Sequence, residues 1–99
     1  MVKLIAEFSG GLEILFGNQS STVVDVAPKQ APELTLGDLL LWLRDNLLTE
    51  RPELFLQGST VRPGILVLVN DVDWELSGMS DTILEEGDTI VFISTLHGG

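Results

Sequence analysis

The chain has 99 residues, of which 44% are hydrophobic and 20% are charged, so it is long enough for one globular domain with a single core. Its 5 Lys and Arg against 15 Asp and Glu give a formal net charge of −10, which excludes direct nucleic-acid binding and favours partners with basic surfaces. The sequence has no Cys and one His, which excludes disulfides, thiolate metal sites and a histidine zinc cluster.

A hairpin is predicted at the start of the chain. Val2–Phe8 alternates apolar and polar side chains, which indicates a strand. Ser9–Gly11 is a glycine-rich joint, and Leu12–Phe16 alternates again, so these residues are predicted to form the returning strand. Residues 17–22 are polar turn material, and Thr22–Val26 predicts a further short β segment.

One helix is predicted from residue 36 onward. Thr35 is the expected N-cap, with Asp38 as its acidic capping-box partner. The helix is expected to end before the proline at position 52, and residues 52–56 to form a short turn that directs Leu54 and Phe55 inward. Apolar side chains recur at helical spacing along one stripe, made of Leu36, Leu39, Leu40, Leu43 and Leu47.

The last third of the chain predicts strands. Ile65–Val69 is a continuous aliphatic run, typical of an inner strand. Asn70–Asp73 has turn chemistry, Trp74–Leu76 predicts a short returning strand, and Thr89–Leu96 predicts the last strand. The order of hairpin, helix and strands indicates an α+β domain with a mixed sheet and one main helix across it. The β-grasp fold has this order and places the last strand beside the first.

A candidate partner surface follows from side-chain alternation on two of these strands. If Ile90 and Phe92 face the helix, Val91 and Ile93 face the other way. By the same alternation, Leu66 and Leu68 face outward in Ile65–Val69. Should the two strands be neighbours, an exposed aliphatic patch forms, made of Leu66, Leu68, Val91 and Ile93. Contiguous exposed apolar surface is typical of a partner site. The alternative is that a loop or a second copy covers it.

The acidic residues carry weaker signals. Asp71, Asp73 and Glu75 have the spacing of calcium ligands, but Leu76 stands where the loop needs Gly, so no metal site is predicted. No Ser-His-Asp set and no phosphate-binding glycine loop is found, so no catalytic residue and no enzyme is predicted. The other acidic residues singled out are Asp81, Glu85, Glu86 and Asp88. We interpret them as a solvated acidic loop, and the alternative is a docking patch for a basic partner.

No segment predicts export or membrane insertion. Residues 1–8 lack the long apolar stretch of a signal peptide, and runs such as Leu39–Leu43 fall far short of a membrane span. We therefore expect a cytoplasmic protein without a membrane partner, with the nucleus as a second compartment.

Arg51–Leu76 and Phe92–Gly99 resemble the eukaryotic ubiquitin-related modifiers, the sulfur-carrying branch of the ubiquitin-like proteins. The similarity runs over nearly the whole chain. It implies a β-grasp domain over residues 1–96 and a flexible Gly-Gly tail over residues 97–99. It also implies that the free C-terminal carboxylate is the working group and that the chain itself binds no cofactor.

The same resemblance implies an adenylyl- and sulfurtransferase activating enzyme with a rhodanese-like domain. That enzyme uses ATP and a sulfur donor to adenylate the C terminus and convert it to a thiocarboxylate. The sulfur then serves a thiolation complex that makes 2-thiouridine at the wobble position of tRNA, and the same terminus is joined to lysines of target proteins. Gly99 is the modified residue by this resemblance, and the tail contacts of the activating enzyme are Gly98, His97, Leu96 and Thr95.

Two alternatives stay open. A non-conjugated ubiquitin-like binding module would act through the aliphatic patch and have an inert tail. A carrier closer to those of bacterial molybdopterin or thiamine synthesis would share the fold and the Gly-Gly end but deliver its sulfur elsewhere. Deleting Gly99 separates a carrier from a binding module, because only a carrier depends on the terminal carbon.

Overall fold

A computed structural model describes residues 1–30, 32–49, 51–58 and 60–95. The helix α1 spans Leu36–Asn46. The strands in these ranges are β1 (Val2–Ser9), β2 (Ser21–Val26), β3 (Leu34–Thr35), β4 (Leu56–Gln57), β5 (Thr60–Val61), β6 (Ile65–Val69), β7 (Val72–Asp73), β8 (Ile83–Leu84) and β9 (Thr89–Ser94). Among the described residues, no helix has the length and apolar character needed to cross a membrane.

The main sheet has five strands in the order β2-β1-β9-β6-β7. The first strand, β1, pairs in parallel with β9 and antiparallel with β2, and β9 pairs antiparallel with β6. The last strand therefore lies beside the first, as predicted. Two short antiparallel pairs, β3 with β8 and β4 with β5, form separate small sheets. The mixed sheet and the one α-helix found in the described residues confirm the predicted α+β architecture.

The helix begins at the predicted capping box. The backbone N–H of Asp38 donates to Thr35 Oγ1 at 3.2 Å, and the N–H of Thr35 donates to Asp38 Oδ2 at 3.1 Å. Both bonds satisfy N–H groups that the first helical turn leaves without a partner. The predicted stripe packs into the core, with Leu47 half-buried at its end and four fully buried members: Leu36, Leu39, Leu40 and Leu43.

The returning strand of the first hairpin is β2, and the prediction that Leu12–Phe16 forms it was wrong. These residues form a 3₁₀ turn between Gly11 and Gly17, which both have the positive φ that glycine adopts easily. Ile14 is exposed, whereas Phe16 is buried. A strand would place these two side chains on the same face. The turn instead buries its first and last residues, Leu12 and Phe16, and leaves Ile14 between them exposed.

Phenylalanine packing accounts for that turn. The ring of Phe16 stacks on Phe8 with centroids 4.0 Å apart and meets Phe55 edge to face at 5.1 Å. Phe92 completes the group at 5.6 Å from Phe8 and 5.5 Å from Phe55. The short turn predicted over residues 52–56 is a 3₁₀ turn over Pro52–Leu54. Phe55 follows it and is fully buried, which confirms that it points inward, and Leu54 is half-buried.

Two further predictions near the C terminus were also wrong in detail. Trp74–Leu76 forms a 3₁₀ turn, and the strand that returns along β6 is the two-residue β7. The side chain of Asp73 starts the turn by accepting the Glu75 N–H at 2.9 Å, and Trp74 is buried beneath it. The last strand ends at Ser94 instead of residue 96.

Candidate functional site

The main sheet has an inner face against α1 and an outer face on the opposite side. On β1 the inner side chains are Leu4, Ala6 and Phe8, all buried. Ile90 and Phe92 on β9 are buried in the same core, as the alternation predicted. Because successive strand residues point to opposite faces, the side chains between them form the outer face.

The four residues of the predicted aliphatic patch lie together on the outer face. In the pairing of β6 with β9, Leu66 stands opposite Ile93 and Leu68 stands opposite Val91. All four side chains are half-buried, so part of each contacts solvent. The predicted neighbourhood of the two strands is therefore confirmed, and the use of the patch by a partner stays a prediction.

The aliphatic surface extends beyond the four predicted residues. Ile5 lies on the outer face of β1 and stands opposite Val23 of β2. Ile5 is half-buried, and Val23 is 60% exposed. These two residues continue the patch across the other half of the sheet. The alternation of β1 could have indicated Ile5, but Val23 required knowledge that β2 is the hairpin partner.

Four charged residues also lie on the outer face. Glu7 stands opposite Val91 in the β1–β9 pair, and Asp73 stands opposite Leu68 in the β6–β7 pair. Both are half-buried. At the far end of β1, Lys3 stands opposite Asp25 and supplies a cation beside that carboxylate. The ion pairs found within the described ranges lie elsewhere, between Arg44 and Asp45 and between Arg51 and Glu53.

The point where the chain leaves β9 is held by contacts within the domain. The backbone N–H of Thr95 donates to the carbonyl oxygen of Gly64 at 2.8 Å, and Thr95 Oγ1 donates to the same oxygen. On the opposite side, Gly10 approaches Ser94 so closely that an added Cβ would lie 2.3 Å from the Ser94 carbonyl oxygen. The position of residue 95 is therefore set by the domain itself.

The remaining predicted tail contacts lie outside the described residues. They are Leu96, His97, Gly98 and Gly99, together with the predicted domain boundary at residue 96. Of that group of predictions, the structure locates Thr95 alone, which is exposed.

The predicted acidic loop includes carboxylates that accept structural hydrogen bonds. Glu86 Oε1 accepts the backbone N–H of Lys3 at 2.8 Å. Asp88 accepts from Asn70 Nδ2 at 2.9 Å and from the Glu85 N–H at 2.8 Å. These bonds hold the loop before β9 against β1 and against the turn after β6. The interpretation of the loop as merely solvated therefore omitted a structural role for two of its acids.

Hydrogen bonds and charge pairs at the surface account for the shifted pKa values. The pKa of Asp45 is lowered because Arg44 donates a hydrogen bond to it, and the pKa of Arg44 is raised by the same bond. The pKa of Glu53 is lowered first by a hydrogen bond from its own backbone N–H and then by Arg51. All three groups are exposed and lie off the outer face. Within residues 1–30, 32–49, 51–58 and 60–95, no cluster of His, Asp and Glu is arranged to hold a metal ion.

A family profile described as Urm1 (Ubiquitin related modifier) matches residues 3–99. The chain belongs to this family. A ubiquitin-related modifier 1 homolog from Chlamydomonas reinhardtii is 62% identical over 99 residues, which cover 100% of both chains. The solution structure of Urm1 from Trypanosoma brucei matches with a TM-score of 0.82 at 44% identity, covering 98% of this chain and 95% of that one.

These matches confirm the predicted family and the predicted ubiquitin-like β-grasp fold. The BexX/CysO complex of Amycolatopsis orientalis contains a chain of the same fold, with a TM-score of 0.73 at 19% identity and coverage of 97% and 99%. The relatives of the Urm1 family named above are modifiers. The family match extends through residue 99 and so includes the Gly-Gly end, beyond the residues that the structure describes.

Proposed function

We propose that the chain is a ubiquitin-like sulfur carrier and protein modifier whose working group is the C-terminal carboxylate of Gly99. The observation that carries this proposal is the family match over residues 3–99, which includes Gly98 and Gly99. A carrier of this kind needs no catalytic side chain of its own. Glycine suits the terminus because the absence of a side chain leaves the reacting carbon open to attack and lets the chain enter a narrow channel.

Activation turns a poor acyl donor into a good one. An oxygen of the Gly99 carboxylate attacks the α-phosphorus of ATP, and pyrophosphate leaves. Sulfur at the oxidation level of sulfide then attacks the carbonyl carbon and displaces AMP, which leaves a thiocarboxylate. ATP and the sulfur donor are used by the activating enzyme, for which we propose a rhodanese-like domain. Attack by the amine of a target lysine on the same adenylated carbonyl carbon instead displaces AMP and gives an isopeptide bond.

For the carried sulfur we propose delivery to a thiolation complex that makes 2-thiouridine at the wobble position of tRNA. The net charge of −10 supports a division of roles in which that complex binds the RNA, because this chain repels a phosphate backbone. We propose the cytoplasm as its compartment, with the nucleus as a second one.

The aliphatic patch is the proposed docking surface for the activating enzyme. Ile93→Asp places a charge on that surface, and we expect the KM for adenylation to rise roughly tenfold or more. The variant should fold, because Ile93 is half-buried on the face away from α1. Ile14→Asp is the matched control, because Ile14 is exposed and lies in the turn between β1 and β2, outside the strands of the sheet. Normal kinetics for a folded Ile93→Asp protein would contradict the docking role.

The intact mass of the C-terminal peptide tests the proposed function directly. After incubation with the activating enzyme, ATP and a sulfur donor, we expect one oxygen at Gly99 to be replaced by sulfur. A thiol-selective alkylating agent must trap the product, because a C-terminal peptide that begins after Arg62 contains Met79, and oxidation of Met79 adds nearly the same mass. A chain lacking Gly99 is the negative control. An unchanged terminus with an enzyme that is active on another carrier would refute the proposal.

One observation favours the alternative of a binding module with an inert tail. The aliphatic outer face is partly exposed and spans four strands, so it suits a partner whether or not the terminus reacts. Such a module would keep its function after deletion of Gly99, whereas a carrier would lose it.

A further inference from the structure

Two carboxylates bracket the middle of the aliphatic outer face. Across the sheet, the register places Glu7, Val91, Leu68 and Asp73 side by side on four consecutive strands, β1, β9, β6 and β7. Neighbouring strands lie about 4.8 Å apart, so the two acidic residues are separated by roughly 14 Å with two aliphatic side chains between them.

In the described part of the sheet, Glu7 lies among aliphatic and serine side chains on its face, with no Lys or Arg among its nearest neighbours there. Its neighbours along and across the strands include Ile5 and Val91, and its partner on β2 is the small residue Ser21. The cation on the outer face of β1 is Lys3, four residues away, or about 13 Å along the strand. Lys3 also stands opposite Asp25. Within the described residues, Glu7 has no ion-pair partner.

This arrangement restricts what can dock on the face. A wholly apolar partner surface would remove water from Glu7 and Asp73 without replacing its hydrogen bonds, which is strongly unfavourable for a carboxylate. A partner with an apolar ridge and correctly spaced cations avoids that cost. It also gains long-range attraction to a chain with a net charge of −10.

We propose that Glu7 and Asp73 determine the specificity of the outer face and that its partner presents an apolar ridge flanked by two Lys or Arg side chains about 14 Å apart. The occupant we assign is the activating enzyme, so this inference rests on the proposed function. The two carboxylates select the partner that can neutralise both of them, while the aliphatic residues between them supply the buried area.

Conservative substitutions separate this role from a structural one. Glu7→Gln keeps the size of the side chain and removes its charge. Asp73→Asn removes the charge but keeps an oxygen that can accept the Glu75 N–H, so the cap on the following turn is retained. Asp25→Asn is the matched control, because Asp25 lies on the same face opposite Lys3.

The experiment measures kcat and KM for ATP-dependent adenylation of each variant by the activating enzyme, at low and moderate salt. We expect Glu7→Gln and Asp73→Asn each to raise KM roughly tenfold with kcat unchanged, and to weaken the dependence of kcat/KM on salt. The double variant should approach a hundredfold, because sites about 14 Å apart act nearly independently. Asp25→Asn should keep the wild-type KM. Thermal unfolding confirms that every variant is folded.

Three results would overturn the inference. The first is that Glu7→Gln and Asp73→Asn both keep the wild-type KM while the wild-type protein is adenylated normally. That result would leave the proposed function intact. The second is an equal rise in KM for Asp25→Asn, since the effect would then follow net charge alone. The third is a wild-type chain that an active enzyme does not adenylate, which refutes the proposed function and this inference together.

Discussion

Gly10 shows how one residue can determine where the chain leaves the domain. Its φ is +71°, a conformation that side chains disfavour. An added Cβ would lie 2.3 Å from the Ser94 carbonyl oxygen, which is backbone and cannot rotate away. Glycine at this position therefore allows the end of β1 to contact the end of β9, next to the residue from which the C-terminal segment departs.

Gly10→Ala and Gly11→Ala form a matched pair that tests this contact. Both positions have positive φ, but an added Cβ on Gly11 has nothing within 4 Å. We expect Gly11→Ala to lower the free energy of unfolding by about 1 kcal/mol, from backbone strain alone. Gly10→Ala should cost about 3 kcal/mol or more, because Ser94 must also move. Urea unfolding at 25 °C measures both, and equal losses would contradict the proposed contact.

At the scale of elements, the turn at residues 12–16 shows how packing overrides a local pattern. Alternation of Leu12, Ile14 and Phe16 favours a strand, yet the group of phenylalanine rings needs Phe16 in the core and leaves Ile14 exposed. The glycines at both ends accept the positive φ that the turn requires. The free energy gained by burying the ring of Phe16 outweighs the weaker preference of this short segment for a strand.

Alanine substitutions distinguish the turn from a strand. We expect Phe16→Ala to lower the free energy of unfolding by about 3–5 kcal/mol, because a buried aromatic ring leaves a cavity. Ile14→Ala should change it by less than about 0.5 kcal/mol, because the side chain is already 56% exposed. Chemical denaturation of both variants provides the measurement. Similar large losses at both positions would indicate that the two side chains share a buried face.

At the scale of the whole molecule, charge is unevenly distributed. The segment after Arg62 contains seven acidic residues and no Lys or Arg, whereas the five basic residues all lie within residues 3–62. With a net charge of −10 on a small domain, the carboxylates repel one another and destabilise the compact state. The same asymmetry attracts partners with basic surfaces to the part of the chain that leads to the C terminus.

Salt should therefore stabilise the domain. Raising the ionic strength from about 0.01 to 0.1 M shortens the Debye length from about 30 to 10 Å and screens this repulsion. We expect the midpoint of thermal unfolding to rise by a few degrees over that range, as measured by calorimetry at neutral pH. The effect should diminish at higher salt, where screening is nearly complete. A midpoint that falls with added salt would show that attractive ion pairs dominate instead.

Features that depend on residues close together in the chain can be predicted without the structure. The capping box of Thr35 and Asp38, the leucine stripe of α1 and the alternation that divides β6 and β9 into two faces are all short-range patterns. The four-residue aliphatic patch followed from that alternation once the two strands were taken as neighbours, and the Gly-Gly end is legible in the sequence itself.

The tertiary structure decided which distant residues share a surface. Only the pairing of β1 with β2 and β9, and of β6 with β7, places Ile5, Val23, Glu7 and Asp73 beside the patch. The packing of Phe16 against Phe8 and Phe55 favours a turn at residues 12–16 over a strand. The periodicity of one segment does not indicate which strand it pairs with. Pairing depends on side chains that are far apart in the sequence and become buried together when the core forms.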